Sequence, residues 1–202
     1  DLCLLKADAE ADPVRLERFA LVDAPIHCAS ASGGKFEMIA GVADWAAARK
    51  IDILHTHSFR PNIYGRLGGM LRRPEGLRLL PHYHNQYDDK WGKEPELLAL
   101  ERHLAASSDA AVAVSRSVQE HVAERLGIDA GRIDIIPNGV NASDFQFADA
   151  AGARRQLGIK EGALAFGLIG RICEQKGQDI FVEAAIAAAA EIPDAEFLII
   201  GD

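Results

Sequence analysis

Gly167-Leu168-Ile169-Gly170-Arg171-Ile172-Cys173-Glu174-Gln175-Lys176-Gly177 is the stretch whose reading decides the fold. An apolar run ends in a glycine, a polar loop carries two cations, and helix-forming residues follow from Gln178. Strand, loop and helix in that order make half of a βαβ unit. In open parallel sheets, ligands gather beyond the carboxyl ends of the strands. A helix N-terminus placed there offers unpaired N–H groups and the positive end of its dipole to an anion. Arg171 can grip phosphate oxygens through two parallel N–H bonds, and Lys176 adds a mobile point charge, so the pair suits a diphosphate. Taken alone, the same pair reads as two solvated loop charges.

Outward from this stretch, short apolar runs alternate with longer amphipathic ones, the pattern of an α/β protein with parallel sheets. The runs predict strands over residues 2–6, 51–55, 77–81, 110–114, 132–136, 164–169 and 196–200. Helical spacing marks residues 36–49, 95–106 and 118–126, the last with Ser115 or Ser117 as N-cap. Residues 138–162 are rich in Asp, Gly, Asn and Ala, lack a strand pattern, and are read as an interdomain linker. Domain one is therefore expected over residues 1–137 and a second from 163 to 202. Strand-like residues stand next to both Asp1 and Asp202, and a parallel strand normally leads into a crossover helix. The chain is accordingly expected to be an internal stretch of a longer protein.

Composition narrows the partners. With 202 residues, 49% hydrophobic and 26% charged, the chain is long and apolar enough to bury a core. Its net charge of −8 and the lack of a basic stripe exclude a duplex-binding surface and favour a small-molecule partner. Cys3, Cys28 and Cys173 are few, odd in number and widely spaced, as expected of reduced thiols in a cytoplasmic protein. No run approaches the roughly 18 apolar residues that a membrane span needs.

Two histidine pairs carry chemistry at the other domain, in Asp52-Ile53-Leu54-His55-Thr56-His57 and Leu79-Leu80-Pro81-His82-Tyr83-His84. Residues two apart on a strand face one way, so each pair can converge. His-x-His can bind zinc, which raises a metal-dependent hydrolase with Asp88 or Asp89 as carboxylate. The remaining histidines, His27, His103 and His121, form no second cluster, and hydrogen-bonded structural roles are expected for His55 and His82. Gly33-Gly34-Lys35 lacks the strand and spacing of a phosphate loop and reads as a turn. No Gly-x-Gly-x-x-Gly follows a strand and no Gly-x-Ser-x-Gly elbow is present, which argues against a nicotinamide or flavin cofactor and a serine hydrolase.

In order along the chain, Asp52-Ile53-Leu54-His55-Thr56-His57, His82-Tyr83-His84-Asn85, Val112-Ala113-Val114-Ser115, Ile135-Ile136-Pro137-Asn138-Gly139-Val140, Gly170-Arg171 with Lys176-Gly177, and Ile199-Ile200-Gly201-Asp202 resemble the GT-B glycosyltransferases of family 4. The resemblance implies two Rossmann-like domains with parallel sheets, the first on the acceptor side and the second, on the donor side, only begun in this chain. It implies a retaining glycosyltransferase that moves a sugar from a nucleotide-diphosphate donor to a glycan or lipid-linked acceptor. Arg171 and Lys176 would bind the donor diphosphate, His84 would be the active-site histidine, and His57 and Asn62 would lie near the acceptor. No cofactor or metal is expected, no nucleic acid partner, and a cytoplasmic location with peripheral contact at the inner face of a membrane. A non-catalytic nucleotide-sugar-binding protein is the further alternative. The family's opening strand with its glycine-rich loop is expected before Asp1 and its Glu-x7-Glu pair after Asp202, so the stretch by itself is expected to be inactive. Glu183 and Glu191 share that spacing on the wrong helix, and Asn141 replaces an aspartate that commonly follows Pro-Asn-Gly-Val.

Overall fold

The computed structural model describes residues 2–4, 26–29, 34–87, 93–146 and 149–201. Lys6, Gly33, Asp88 and Asp89 lie outside the described residues. The chain divides into two compact units, Asp1–Gly139 and Val140–Asp202.

In the first unit, β1 (Leu2–Leu4) pairs in parallel with β2 (Ile26–Cys28). A second sheet holds β3 (Ile53–His57), β4 (Arg78–Tyr83), β5 (Ala111–Ala113) and β6 (Ile133–Ile135), all parallel and adjacent in chain order. The connections are helical, as parallel strands require. Helix α1 (Lys35–Arg49) leads into β3, and α2 (Arg66–Leu71) joins β3 to β4. Helices α3 (Pro95–Ala106) and α4 (Arg116–Leu126) make the next two crossovers. The Ser115 hydroxyl accepts from the Val118 amide and starts α4; Gly127 ends it at φ 69°, where its N–H reaches the Ala123 carbonyl.

The core lies between the helices and one face of the sheet. Along β3 burial alternates, with Leu54 and Thr56 inward and Ile53, His55 and His57 outward. Val42, Trp45 and Ala46 of α1 pack on Leu54, Leu77 and Leu79. Val118, Val122, Ala123 and Leu126 of α4 pack on Tyr83, Ala111, Ala113 and Ile133. Each large aliphatic side chain buried this way stabilises by about 1.5–3 kcal/mol.

The second unit contains α5 (Ala150–Gln156), whose N-cap Asp149 accepts from the Gly152 amide. Strands β7 (Ala165–Ile169) and β8 (Glu196–Ile200) follow, parallel and joined by α6 (Gln178–Glu191). Phe166 and Phe197 stack at 5.4 Å across the strand pair.

Three elements escape the hydrophobic pattern: β2, α2 and α5, the last inside the stretch read as linker. The histidine-bearing strand also runs two residues later than predicted, Ile53–His57, because its last three residues, His55, Thr56 and His57, are polar and extend the strand past its apolar run. Helix α2 exists through close packing that its glycines permit. A Cβ on Gly68 would stand 2.6 Å from the Ile39 carbonyl oxygen and 2.7 Å from Val42 Cβ. On Gly69 it would meet the mobile ends of Leu54, Leu79 and Leu77. Gly68→Ala is therefore expected to destabilise by about 1–3 kcal/mol despite its better helix propensity. Gly69→Ala should cost less. Urea midpoints of the two variants check the difference, and equal midpoints would contradict this packing.

Candidate functional site

The carboxyl ends of β3 and β4 bring four histidines together. The parallel register sets His57 opposite His82, and two-residue periodicity places His55 beside them on the same face. His55 and His82 stack with centroids 5.5 Å apart and rings within 4° of parallel. His57 stands 4.9 Å from His82, and His84 4.4 Å from His82. His57 Nδ1 lies 3.1 Å from His84 Nε2, a hydrogen bond in which one imidazole donates and the other accepts. The two residues that the sequence reading assigns to acceptor and catalysis are therefore direct partners.

The chain around this array is fixed from behind. Ser58 follows β3 at φ 74°, a left-handed conformation that costs a non-glycine residue on the order of 1–3 kcal/mol. The strain is held by a turn in which the Asn62 amide bonds the Ser58 carbonyl at 3.0 Å. A π-helical turn, Pro61–Gly65, then leads into α2; such turns recur at functional sites. Asn62 is buried. Its side-chain amide donates to the His82 carbonyl at 3.1 Å, and its oxygen accepts from the Thr56 hydroxyl at 2.8 Å. The Ser58 amide reaches the same His82 carbonyl. In this structure Asn62 positions the histidine strands from inside.

Below Asn62 lies a buried ionic network absent from the sequence reading. Arg66 donates to the Asn62 carbonyl, to the Ser108 hydroxyl and to the Glu101 carboxylate. The Tyr83 hydroxyl donates to Glu101 at 2.8 Å. Arg66 and Glu101 are almost wholly excluded from water, and burial, with the Glu101 carboxylate second, drives the Tyr83 phenol well above its usual range. A lone arginine and a lone glutamate 35 positions apart give no sequence signal of pairing.

Burial disfavours the charged form of every imidazole in the array. It lowers His84, and with the neighbouring histidines' mutual repulsion it lowers His55 and His57. His82 falls furthest, to about 4, through burial and then the charges of His84, His57 and His55. Both of its ring nitrogens are buried without a partner at full hydrogen-bond geometry, while the Ile136 backbone acts against the shift. The hydrogen bonds that hold His82 in place run through its carbonyl.

In the second unit, Arg171 and Lys176 stand on the loop between β7 and α6, both exposed. A 3₁₀ turn, Glu174–Lys176, closes on Gly177, whose φ of 66° is the left-handed conformation that starts α6 without a side-chain cap. The first amides of α6 thus remain open to a ligand. Gln178, unremarked in the sequence, braces the loop: its amide donates to the Arg171 carbonyl at 2.8 Å and its oxygen accepts from the Cys173 amide at 3.4 Å. A Cβ on Gly170 would touch the Lys176 stem at ordinary van der Waals distance, whereas a Cβ on Gly201 would overlap the Gly170 carbonyl, so a steric demand for glycine falls on Gly201. Glu174 and Asp179 lie on the same turn and first helical turn. The loop thus sets two carboxylates beside its two cations and carries no net charge excess of its own.

Two expectations follow. Glu101→Ala leaves Arg66 charged and buried without its partner and should cost about 3–5 kcal/mol in denaturant unfolding, while Arg66→Met with Glu101→Leu recovers most of it; a neutral single variant would contradict the network. The unfolded chain binds protons on these histidines from the ordinary value of 6.5 downward, whereas folded His82 resists until about 4. Stability must then fall as pH is lowered through that window. His82→Gln should flatten the slope of unfolding free energy against pH.

The sequence profile of glycosyltransferase family 4 matches residues 5–144. The chain is 31% identical over 161 residues to a UDP-Gal:alpha-D-GlcNAc-diphosphoundecaprenol alpha-1,3-galactosyltransferase of Escherichia coli, covering 76% of this chain and 41% of that protein. To a D-inositol 3-phosphate glycosyltransferase of Segniliparus rotundus it is 28% identical over 158 residues, 74% of this chain and 34% of that protein. It thus spans about two fifths or less of these relatives. Among solved structures, Anabaena HepE in complex with UDP and glucose superposes with a TM-score of 0.76 at 20% identity, covering 98% of this chain and 52% of that one. The lipopolysaccharide outer core galactosyltransferase WaaB superposes at 0.59 and 14%, covering 100% and 58%. These likenesses support the α/β GT-B architecture with parallel sheets. With the profile covering more than half of its residues, the chain belongs to glycosyltransferase family 4.

Proposed function

We propose that the protein moves a sugar from a nucleoside-diphosphate donor to a glycan or lipid-linked acceptor, with retention of anomeric configuration. The observation that carries this reading is the cationic loop of Arg171 and Lys176, at a strand-to-helix junction in a chain of glycosyltransferase family 4. As the bond between sugar and diphosphate loosens, negative charge grows on the leaving oxygens. Fixed cations and open helix amides stabilise that charge more than they stabilise the ground state. Arg171 takes the bidentate share and Lys176 the point-charge share. These groups neutralise the leaving group themselves, so the proposal needs no metal or cofactor.

His84 is proposed as the active-site histidine near the transferred sugar. Its hydrogen bond to His57 orients the ring, and its lowered pKa keeps it neutral at neutral pH. His57, exposed beside it, is proposed to face the acceptor, with Asn62 acting through the backbone it holds. The names of the relatives and of the HepE complex make a UDP-sugar the donor to test first. The diphosphoundecaprenol acceptor in one of those names supports a lipid-linked acceptor, and with it a cytoplasmic protein working at the inner face of a membrane. Among the described residues no helix is long and apolar enough to cross a membrane. The family match favours transfer over both the hydrolase and the non-catalytic readings.

In the whole protein, Arg171→Ala and Lys176→Ala are each expected to lower kcat/KM with a UDP-sugar donor on the order of 10²-fold or more. Arg171→Lys should restore only part, because lysine lacks the planar fork. Release of UDP and the anomeric proton signal of the product check rate and stereochemistry together. Unchanged transfer in both alanine variants, or an inverted product, would overturn the corresponding part of the reading.

A further inference from the structure

The histidine array holds more ligand chemistry than one active-site imidazole uses. One nitrogen from each of His55, His57 and His82 lies within 4.8 Å of the other two. Three imidazoles with an open fourth position are a familiar ligand set for Zn²⁺, and imidazole suits this class of divalent ion in general. Four tetrahedral bonds of about 2.0–2.1 Å set nitrogens about 3.3 Å apart, so binding requires the rings to close by up to about 1.5 Å from their 4.8 Å limit. His55 and His57 are exposed and have the freedom to do so.

Two further observations point to a ligand. His82 is 7% exposed, and neither ring nitrogen has a partner at full hydrogen-bond geometry. An imidazole buried without a partner is destabilising, a cost that a bound ion removes by taking its lone pair. His57 is bonded through Nδ1 to His84. When His57 donates in that bond, its Nε2 carries the free lone pair and His84 stands as the outer partner that orients a metal-binding imidazole.

We infer that His55, His57 and His82 form a binding site for one divalent transition-metal ion of the zinc type, with His84 as the residue that orients His57. The inference stands on the array alone and does not rest on the sugar-transfer reading.

The test is a titration of the metal-stripped chain with Co²⁺, followed by its visible absorption, and then displacement by Zn²⁺. One Co²⁺ per chain with the intense band of tetrahedral coordination is expected, bleached by Zn²⁺ and untouched by Mg²⁺. His55→Ala and His82→Gln should each weaken binding by more than the roughly 10–100-fold that loss of an outer partner causes. His103→Ala, at an exposed position on α3, should leave it unchanged. His55→Ala removes an outward side chain, so it keeps the test decisive should His82→Gln fail to fold, which circular dichroism reveals. Absence of a stoichiometric band, binding that survives both ligand substitutions, or equal loss in His103→Ala would overturn the inference.

Discussion

The hold on one carbonyl, that of His82, is the constraint on which the candidate site depends. It receives the Asn62 side-chain amide and the Ser58 backbone amide, and through them the carboxyl end of β3 is locked to the end of β4. The lock keeps His57 opposite His82 in the parallel register. A slip of one residue would turn every histidine to the opposite face. The cost of the left-handed Ser58 is offset by this arrangement, since the turn it makes delivers Asn62 to both strands. Beneath it, Arg66 fastens the Asn62 carbonyl to Glu101 and Ser108, so α2, α3 and the sheet share one polar anchor.

The two faces of the sheet therefore follow opposite electrostatic rules. On the inner face a full charge pair is buried and compensated by hydrogen bonds. On the outer face, burial first and neighbouring imidazoles second disfavour protonation of His55, His57 and His82, and burial alone disfavours that of His84. The second unit follows a third rule, in which cations stay exposed on a loop and helix amides remain open, an arrangement that receives a charge instead of burying one.

Most of the framework was legible in the sequence because parallel strands between helices write plain apolar runs. Strand β8 and helix α3 coincide with the residues their pattern marks, and Ser115 caps α4 as its side chain and position suggest. The failures have physical causes. Helix α2 is six residues with a glycine pair, entered through a π turn opened by a proline, so neither propensity nor period exposes it. Strand β3 ends two residues beyond its apolar run because two of its three outward residues are histidines, which hydropathy counts as loop. The pairing of Arg66 with Glu101 and the partnership of His57 with His84 are tertiary facts joining residues 35 and 27 positions apart. By contrast, Arg171 and Lys176 lie close in sequence on one loop, and their shared place between strand and helix was readable as soon as the strand before them was.

Nitrogen-15 NMR of the histidine side chains, followed against pH, tests the central claim most directly, because it reports each ring's protonation without any assumption about activity. The account requires four resonances that titrate below 6.5, with the lowest, His82, near 4, and a His57–His84 pair in which one Nδ1 or Nε2 is fixed as donor. Four independent titrations at the ordinary histidine value would mean that the strands do not hold the rings in this register, and the site described above would lose its foundation.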